Sequence, residues 1–306
     1  HGGEIGSASN CSKLIEPNIA LISNIGTAHI SQVGSIEELI KAKLQIIDGL
    51  QKDGVLIINN DNEFLKEQKP AVKTIRYSVE DKNCDYYAQN IKYEQNETIF
   101  QIVSKGSCDE YGVYDIRLNL RGKHNVSNAV GVFVAARQAK IPPHKIVAGL
   151  AHYKAKGIRQ NLFEFGGIKF YIDVYNSNPT SLLSAVEVLS CIEKKSSGRR
   201  IAIIGEMLEL GEKSLQIHYD VGKKISQYNI DILVCIGENA KYIARAAKEM
   251  DKKAFYFTNR ETFNLFISEL IRPDDVVLFK ASNGVNLEKA TLIPILGNIG
   301  RGRLDA

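Results

Sequence analysis

Residues 19–58 read IALISNIGTAHISQVGSIEELIKAKLQIIDGLQKDGVLII and contain two short apolar runs on either side of an amphipathic segment. The runs at 19–23 and 55–58 are continuous, which is typical of strands buried on both faces of a parallel sheet. Between them, apolar residues recur every three or four positions, and this spacing predicts a helix over 36–50 with a capping box that begins at Ser35. Strand, helix and strand in this order predict an α/β domain with parallel strands.

Two lysines lie in this predicted helix, and its geometry separates them. Lys43 falls on the apolar face, whereas Lys41 projects to the opposite side as a solvated surface charge. A lysine that points inward needs a partner or a lowered pKa because burying an unpaired cation is costly, although it could also extend its ammonium to the helix edge. A neutral buried amine can react with carbon dioxide, and the resulting carbamate is an anion able to face a metal.

His29 follows the first predicted strand after a short loop. Ligands bind beyond the carboxyl ends of strands in open α/β sheets, which makes His29 a candidate ligand-binding residue. It could also simply hydrogen-bond to a backbone carbonyl.

The composition is that of a globular protein with two domains of ordinary size. The chain has 306 residues, of which 44% are hydrophobic and 24% charged, and its formal charge of +4 argues against a nucleic-acid partner. No apolar run approaches the ~20 residues that span a bilayer, so no membrane insertion is expected. Five cysteines without a C-x-x-C pair argue against disulfides and zinc, and they favour a reducing cytoplasm. The first residue is not methionine, so a longer parent chain is expected.

A short segment, Ala155-Lys156-Gly157, is expected to be a hinge. Before it, residues 74–120 contain short strand-like runs separated by turns, which predict an antiparallel insertion. Helices are predicted next at 124–140 and 143–152. The expected domains are therefore residues 1–155 and 156–306.

The second domain restarts with strict alternation of strands and helices, which predicts a doubly wound α/β fold. The predicted strands are 168–174, 201–205, 231–236, 254–257 and 275–280, and the predicted helices are 180–193, 213–228, 239–250 and 261–270. The tail GNIGRGRLDA, residues 297–306, is expected to be unstructured.

Two common nucleotide-binding motifs are absent from the sequence. Neither Gly-Lys pair belongs to a G-x-x-x-x-G-K-[ST] phosphate loop, and the turn after the strand at 201–205 reads GEMLELG instead of G-x-G-x-x-G. A nicotinamide-dependent enzyme is therefore not expected.

A series of ordered motifs resembles those of the Mur ligase family and extends over nearly the whole chain. The first half contains HGGEI, NIGTAH, GSIEELIKAKLQI, INNDN and GKHNVSNAVGVFVAA, and the second half contains IDVYNSNPTSLLSAVEVL, IGEMLELGEKSLQIH and VVLFKASNGVNLEKA. The resemblance implies an α/β fold: the remainder of a P-loop-type ATPase domain with an antiparallel β insertion, followed by a Rossmann-like doubly wound C-terminal domain.

The GEMLELGEKS stretch favours one member of the family, which adds D-Ala-D-Ala to UDP-MurNAc-tripeptide during peptidoglycan precursor synthesis. In that reaction, the resemblance implies, the γ-phosphate of ATP, held with Mg²⁺, activates the tripeptide carboxylate as an acyl phosphate. The amine of D-Ala-D-Ala then attacks the acyl carbon, and phosphate leaves. A monomeric, cytoplasmic ligase is expected.

The resemblance also implies individual site residues. His29 matches a magnesium ligand, Lys43 the lysine whose carbamate supports a second magnesium, and Asn24 a neighbouring polar group. The other matches are Asn125 and Asn128 as adenine contacts, Arg159 near the ATP phosphates, Asp173, Asn176 and Asn178 in an ATP-facing loop, and Lys280 and Ser282 near the incoming dipeptide. Two alternatives concern single residues: Asn125 could cap its helix, and His218, which matches a family histidine, could equally lie on the surface.

Several features depart from the family pattern. Gln45 replaces a glutamate, Ile172 an aspartate and Asn283 an arginine, while the acidic metal ligand and the phosphate loop would lie upstream of His1. We therefore expect the 306 residues alone to be an inactive part of the ligase. Two alternatives stay open: a divergent Mur-type ligase acting on another carboxylate and amine, and a non-catalytic regulatory relative.

Overall fold

The computed structural model describes residues 6–26, 34–94, 97–107, 110–155 and 157–301. The chain divides into two compact units, residues 1–154 and 155–306. No helix among the described residues is long and apolar enough to cross a membrane.

The first unit consists of a mixed sheet and the helices that pack on it. Its strands are β1 (Ile19–Ile22), β2 (Val55–Asn59), β3 (Thr74–Ser78), β4 (Tyr86–Tyr93), β5 (Thr98–Ser104) and β6 (Gly112–Leu118), and its helices are α1 (Ser7–Ile15), α2 (Ile36–Leu44), α3 (Glu63–Lys66), α4 (Lys123–Gln138) and α5 (Pro143–His152). In the described residues the strand order is β1-β2-β3-β4-β5-β6. Neighbours from β1 to β4 run parallel, and β4, β5 and β6 are antiparallel.

The predicted antiparallel insertion is therefore wrong at its start, because β3 pairs with β2 in parallel register. The short strand TIRYS has the same local sequence pattern in either direction, and only its long-range partner decides the direction. The predicted helix at 36–50 is also too long. It ends at Leu44 and continues as a 3₁₀ turn to Ile47, next to Gly49, whose position would bring a Cβ into the backbone of Ser12 on α1.

The first unit has two buried hydrophobic clusters, one between the sheet and α4 and one that includes Leu39 of α2. All five residues of β2 are buried, as the continuous apolar run predicts. Helix α4 turns Val126, Val130 and Phe133 toward the sheet, and the ring centroids of Phe133 and Tyr114 are 4.8 Å apart. This packing fixes the beginning of α4 near the carboxyl ends of β1 and β2.

The second unit has a sheet that is parallel except at one edge. Its strands are β7 (Asn161–Phe165), β8 (Ile168–Asp173), β9 (Arg200–Gly205), β10 (Ile232–Ile236), β11 (Ala254–Phe257) and β12 (Val276–Lys280), and its helices are α6 (Pro179–Cys191), α7 (Ser214–Ile225), α8 (Ala240–Glu249), α9 (Arg260–Leu270) and α10 (Ile293–Arg301). The strand order in the described residues is β11-β10-β9-β12-β8-β7. Helices α6, α7 and α8 contribute to the core on one face, and α9 and α10 to the core on the other, which is the predicted doubly wound arrangement.

Two elements of the second unit were not expected. Strand β7 pairs antiparallel with β8 through a turn at Gly166 and Gly167, both with positive φ, and its half-exposed residues lack the continuous apolar run of the inner strands. The tail was predicted to be unstructured, which is wrong for residues 297–301 because they belong to α10. Ile295 is buried there and Ile299 packs against the same core.

Candidate active site

Two asparagines join the carboxyl ends of the strands in the first unit. Asn59 ends β2, and its Nδ2 donates to the carbonyl of Ser23 at 3.0 Å and to Oγ of Ser127 on α4 at 3.2 Å. Asn62 uses Oδ1 to cap α3, while its Nδ2 donates to Oδ1 of Asn24 at 2.6 Å and to the carbonyl of Ile25 at 2.9 Å. The exposed amide of Asn24 is therefore held at the sheet edge by a neighbour.

Asn59 and Asn62 were not predicted as site residues. Their signal was the stretch INNDN, in which polar residues begin where a buried strand ends. Asp61 in the same stretch accepts hydrogen bonds from the amides of Val79 and Glu80 at 2.7 and 3.2 Å, so it fixes the loop after β3.

The two lysines of α2 differ in burial as the helical spacing predicts. Lys43 is half-buried and follows the buried Ala42, whereas Lys41 is exposed. His29 lies outside the described residues, so its expected role with Lys43 and Asn24 stays a prediction. Among the described residues, no group of three or more His, Cys, Asp or Glu side chains is placed to hold a metal ion.

The expected adenine contacts lie on the first turns of α4. Gly122, with φ of 98°, is the N-cap residue, so Asn125 does not cap the helix. Asn125 is buried and its Nδ2 donates to the carbonyl of Arg121 at 2.7 Å. Asn128 lies three residues later, on the same side of the helix, and is exposed.

An ion pair lies at the carboxyl ends of β8 and β12 in the second unit. Lys280 and Asp173 are register partners, and Nζ of Lys280 is 2.9 Å from Oδ2 of Asp173. Only 1% of the Lys280 side chain and 13% of the Asp173 side chain are exposed. Lys280 also donates to the carbonyl of Asn176. Burial lowers the pKa of Lys280, and the carboxylate of Asp173 partly offsets this shift.

The loop after β8 and the segment before β7 together present three polar or aromatic groups to solvent. Tyr175 and Asn176 are exposed, and the guanidinium carbon of exposed Arg159 lies 3.4 Å from the centroid of the Tyr175 ring. The amide of Val174 donates to the carbonyl of Ile158, which places the segment before Arg159 beside this loop. Of the residues expected near ATP in this region, Arg159 and Asn176 are therefore exposed, whereas Asp173 is largely buried.

Asn178 and Ser282 have structural partners. Asn178 is the N-cap of α6 and forms a capping box with Ser181. Ser282 is buried, and its Oγ accepts from the amide of Leu208 at 3.0 Å and donates to the carbonyl of Ser177 at 3.3 Å. It thereby joins the loops after β8 and β9.

His218 is fully buried, which excludes a surface position. Its Nε2 accepts from the amide of Met207 at 3.0 Å, so Nδ1 carries the proton and donates to the carbonyl of Ser214 at 2.7 Å. Desolvation lowers the pKa of His218. The neutral ring therefore holds the loop after β9.

The three departures from the family pattern have structural positions of their own. Oε1 of Gln45 accepts a hydrogen bond from the backbone amide of Gly6 at 3.0 Å. Ile172 is buried in the hydrophobic cluster of the second unit that also contains residues of α9 and α10. Asn283 is exposed at the start of a 3₁₀ turn.

Two family models match the chain along most of its length. Residues 3–136 match the Mur ligase middle domain, and residues 158–283 match the model described as Mur ligase, glutamate ligase domain. The chain therefore belongs to the Mur ligase family.

Its relatives carry a more specific name. The UDP-N-acetylmuramoyl-tripeptide–D-alanyl-D-alanine ligase of Bacillus subtilis is 33% identical over 281 residues, which cover 91% of this chain and 59% of the relative. The enzyme of that name from Haemophilus influenzae is 31% identical over 287 residues, covering 90% of this chain and 59% of the relative. A crystal structure of MurF from Acinetobacter baumannii superposes with a TM-score of 0.85 at 26% identity, covering 96% of this chain and 63% of that one. The chain thus spans less than two thirds of the length of these relatives.

Proposed function

We propose that this chain is the middle and C-terminal part of an ATP-dependent amide ligase that adds D-Ala-D-Ala to UDP-MurNAc-tripeptide in peptidoglycan precursor synthesis. The main support is its similarity to the Bacillus subtilis ligase of that name over 91% of the chain. In both sheets, exposed and buried polar side chains lie together at the carboxyl ends of the strands, which is compatible with a substrate site.

The residues of the second unit suit a nucleotide. Arg159 and Asn176 are exposed, so a cation and an amide are available to phosphate oxygens. Oγ of Ser177, in the same loop, is buried and has no hydrogen-bond partner among the described residues. In the first unit, Asn128 can donate to and accept from a purine edge. When bound, ATP would supply the phosphoryl group that activates the tripeptide carboxylate.

Magnesium binding by His29, Lys43 as its carbamate, and Asn24 is part of the proposal. The described residues alone do not complete a donor set for magnesium. We therefore assign no reaction step to the ion.

We further propose that the ligase is a cytoplasmic monomer. None of the described cysteines, Cys11, Cys84, Cys191 and Cys235, belongs to a disulfide bond, which is compatible with a reducing compartment.

The test is a chimera in which this chain replaces the matching part of the Bacillus subtilis ligase. We expect phosphate release and UDP-MurNAc-pentapeptide formation only when ATP, the tripeptide substrate and D-Ala-D-Ala are all present. Residues 1–306 alone contain no G-x-x-x-x-G-K-[ST] loop and are expected to give no turnover. Mass spectrometry identifies the product, and a panel of other amines tests specificity.

The outcomes separate the alternatives. A folded chimera that prefers another amine would support a divergent ligase, and one without turnover would support a non-catalytic relative. Arg159→Ala in the active chimera is expected to raise KM for ATP about tenfold because a charged contact is lost. Arg245→Ala, which removes another exposed arginine of the second unit, is the matched control.

A further inference from the structure

The end of β12 provides two buried side chains whose hydrogen bonds go to neighbouring loops. Nζ of Lys280 contacts the carboxylate of Asp173 and the carbonyl of Asn176. Oγ of Ser282 bonds to the carbonyl of Ser177 and to the amide of Leu208. The consecutive carbonyls of Asn176 and Ser177, in the loop after β8, thus accept hydrogen bonds from Lys280 and Ser282 at the end of β12.

The exposed side chains of this loop belong to the backbone segment that these bonds hold. Asn176 and Tyr175 are exposed, and Arg159 stacks on the Tyr175 ring at 3.4 Å from its centroid. Lys280, in contrast, is 1% exposed. A displacement of the carbonyl of Asn176 would therefore move every accessible group of this loop, whereas Lys280 itself presents almost no surface.

The chemistry of this position calls for an ammonium group. A buried cation is tolerated when acceptors surround it, and here a carboxylate and a carbonyl from two successive parts of the chain do so. A neutral amide at position 280 would leave Asp173 without its cation and would weaken the bond to the loop carbonyl.

We propose that Lys280 is a positioning residue, which fixes the loop of Tyr175 and Asn176 and through it the stacked Arg159, with Ser282 as a second fixed point. This inference rests on the proposed function only for its consequence on nucleotide binding. The positioning itself is a property of the chain and can be measured without a substrate.

The experiment compares Lys280→Gln with wild type in residues 1–306. Hydrogen exchange of residues 174–178 is expected to accelerate at least about tenfold, because local opening becomes less costly. In the NMR spectrum, the ring-current shift of the Arg159 side chain, assigned with Arg159→Lys, is expected to move toward the unstacked value. Lys289→Gln, which changes an exposed lysine in the same unit, should alter neither signal.

A second variant keeps the proposal testable if Lys280→Gln does not fold. Ser282→Ala removes two hydrogen bonds and leaves the Lys280–Asp173 pair in place, so it should accelerate exchange in 174–178 and 206–210 while exchange in β10 stays slow. Unchanged exchange and an unchanged Arg159 signal in folded Lys280→Gln would overturn the proposal.

Ligand titration separates this inference from the proposed function. If the chimera described above binds ATP, Lys280→Gln in that chimera should weaken ATP binding about tenfold. If the folded chimera does not bind ATP, the proposed nucleotide site fails, and the exchange and NMR results in residues 1–306 still decide the positioning role. A loss of D-Ala-D-Ala binding in Lys280→Gln with both loop signals intact would assign Lys280 to direct substrate contact and would contradict the proposal.

Discussion

His218 is a residue of α7, but its imidazole accepts a hydrogen bond from the backbone of the loop after β9. Its Nε2 can accept the amide of Met207 only while that nitrogen is unprotonated, and no water-exposed face is available to the ring. The sequence presents a histidine on a helix whose neighbours Gln216 and Asp220 are surface residues. Its burial depends on where the loop at 206–210 folds back, which is a tertiary property.

The lowered pKa of His218 predicts a pH dependence of stability. Below pH ~6.5 His218 is protonated in the unfolded chain but stays neutral in the native state until the pH reaches its lower native pKa. The free energy of unfolding should therefore fall as the pH drops from ~6.5 toward the native pKa. The slope is at most ~1.4 kcal/mol per pH unit for this one proton. Urea unfolding of the second unit between pH 5 and pH 8 measures it.

Two variants make this prediction specific. His218→Gln keeps an acceptor but cannot titrate, so its unfolding free energy should be lower at pH 8 and should vary less between pH 6.5 and pH 5. His144→Gln, which removes an exposed histidine, should leave the slope unchanged. Equal slopes in wild type and His218→Gln would contradict the assignment.

At the scale of elements, the ends of helices and strands combine structural and candidate functional roles. Asn178 illustrates this, because it was expected in an ATP-facing loop and its side chain caps α6. The capping box with Ser181 fixes the direction in which the chain leaves the loop of Asn176. A substitution at Asn178 therefore changes stability before any ligand is bound.

Replacing the cap should have a graded effect. Asn178→Ala is expected to lower the free energy of unfolding by ~1 kcal/mol, because the amide of Ser181 loses its acceptor. Asn178→Asp keeps an acceptor and adds a favourable charge at the helix N-terminus, so it should be close to wild type. Thermal unfolding without nucleotide gives both values, and an equal loss in the two variants would argue against the cap.

At the scale of the whole molecule, each unit has its own core, and stability is expected to respond unit by unit. The buried carboxylate of Asp275 is an example. It accepts from Nε and Nη2 of Arg199 at 3.0 and 2.6 Å and from the amide of Arg272 at 3.0 Å. All these partners lie in the second unit.

Asp275→Asn should destabilise the second unit by ~3 kcal/mol, because it leaves Arg199 without its charged partner. Hydrogen exchange should accelerate in β8, β9 and β12 and stay unchanged in β2. Asp274→Asn is the matched control, since Asp274 pairs with the exposed Lys195 and solvent screens such surface pairs, so this change should have much the smaller effect. Faster exchange in β2 of Asp275→Asn would show that the two units unfold together.

Much of this architecture could be predicted because inner parallel strands are continuous apolar runs. The predicted strands at 231–236 and 254–257 differ from the observed bounds by at most one residue. Strand β7 was missed because an edge strand is half-exposed, and the direction of β3 because pairing is long-range. In the site, the predicted strands 168–174 and 275–280 already contained Asp173 and Lys280 near their carboxyl ends, where the structure has them. Their mutual pairing and burial depend on the sheet order β9-β12-β8, which no local pattern contains.

The position of β12 between β8 and β9 has a consequence for how the protein is made. A ribosome adds residues from the N-terminus, so β8 and β9 leave it well before the strand that hydrogen-bonds to both of them. At ~5–20 residues per second, synthesis of residues 206–275 takes several seconds. During this time the edges of β8 and β9 that will pair with β12 stay unpaired. Such edges are sites where nascent chains aggregate or recruit chaperones. Synonymous codons that slow translation through residues 206–275 should therefore reduce the soluble yield without changing a single amino acid.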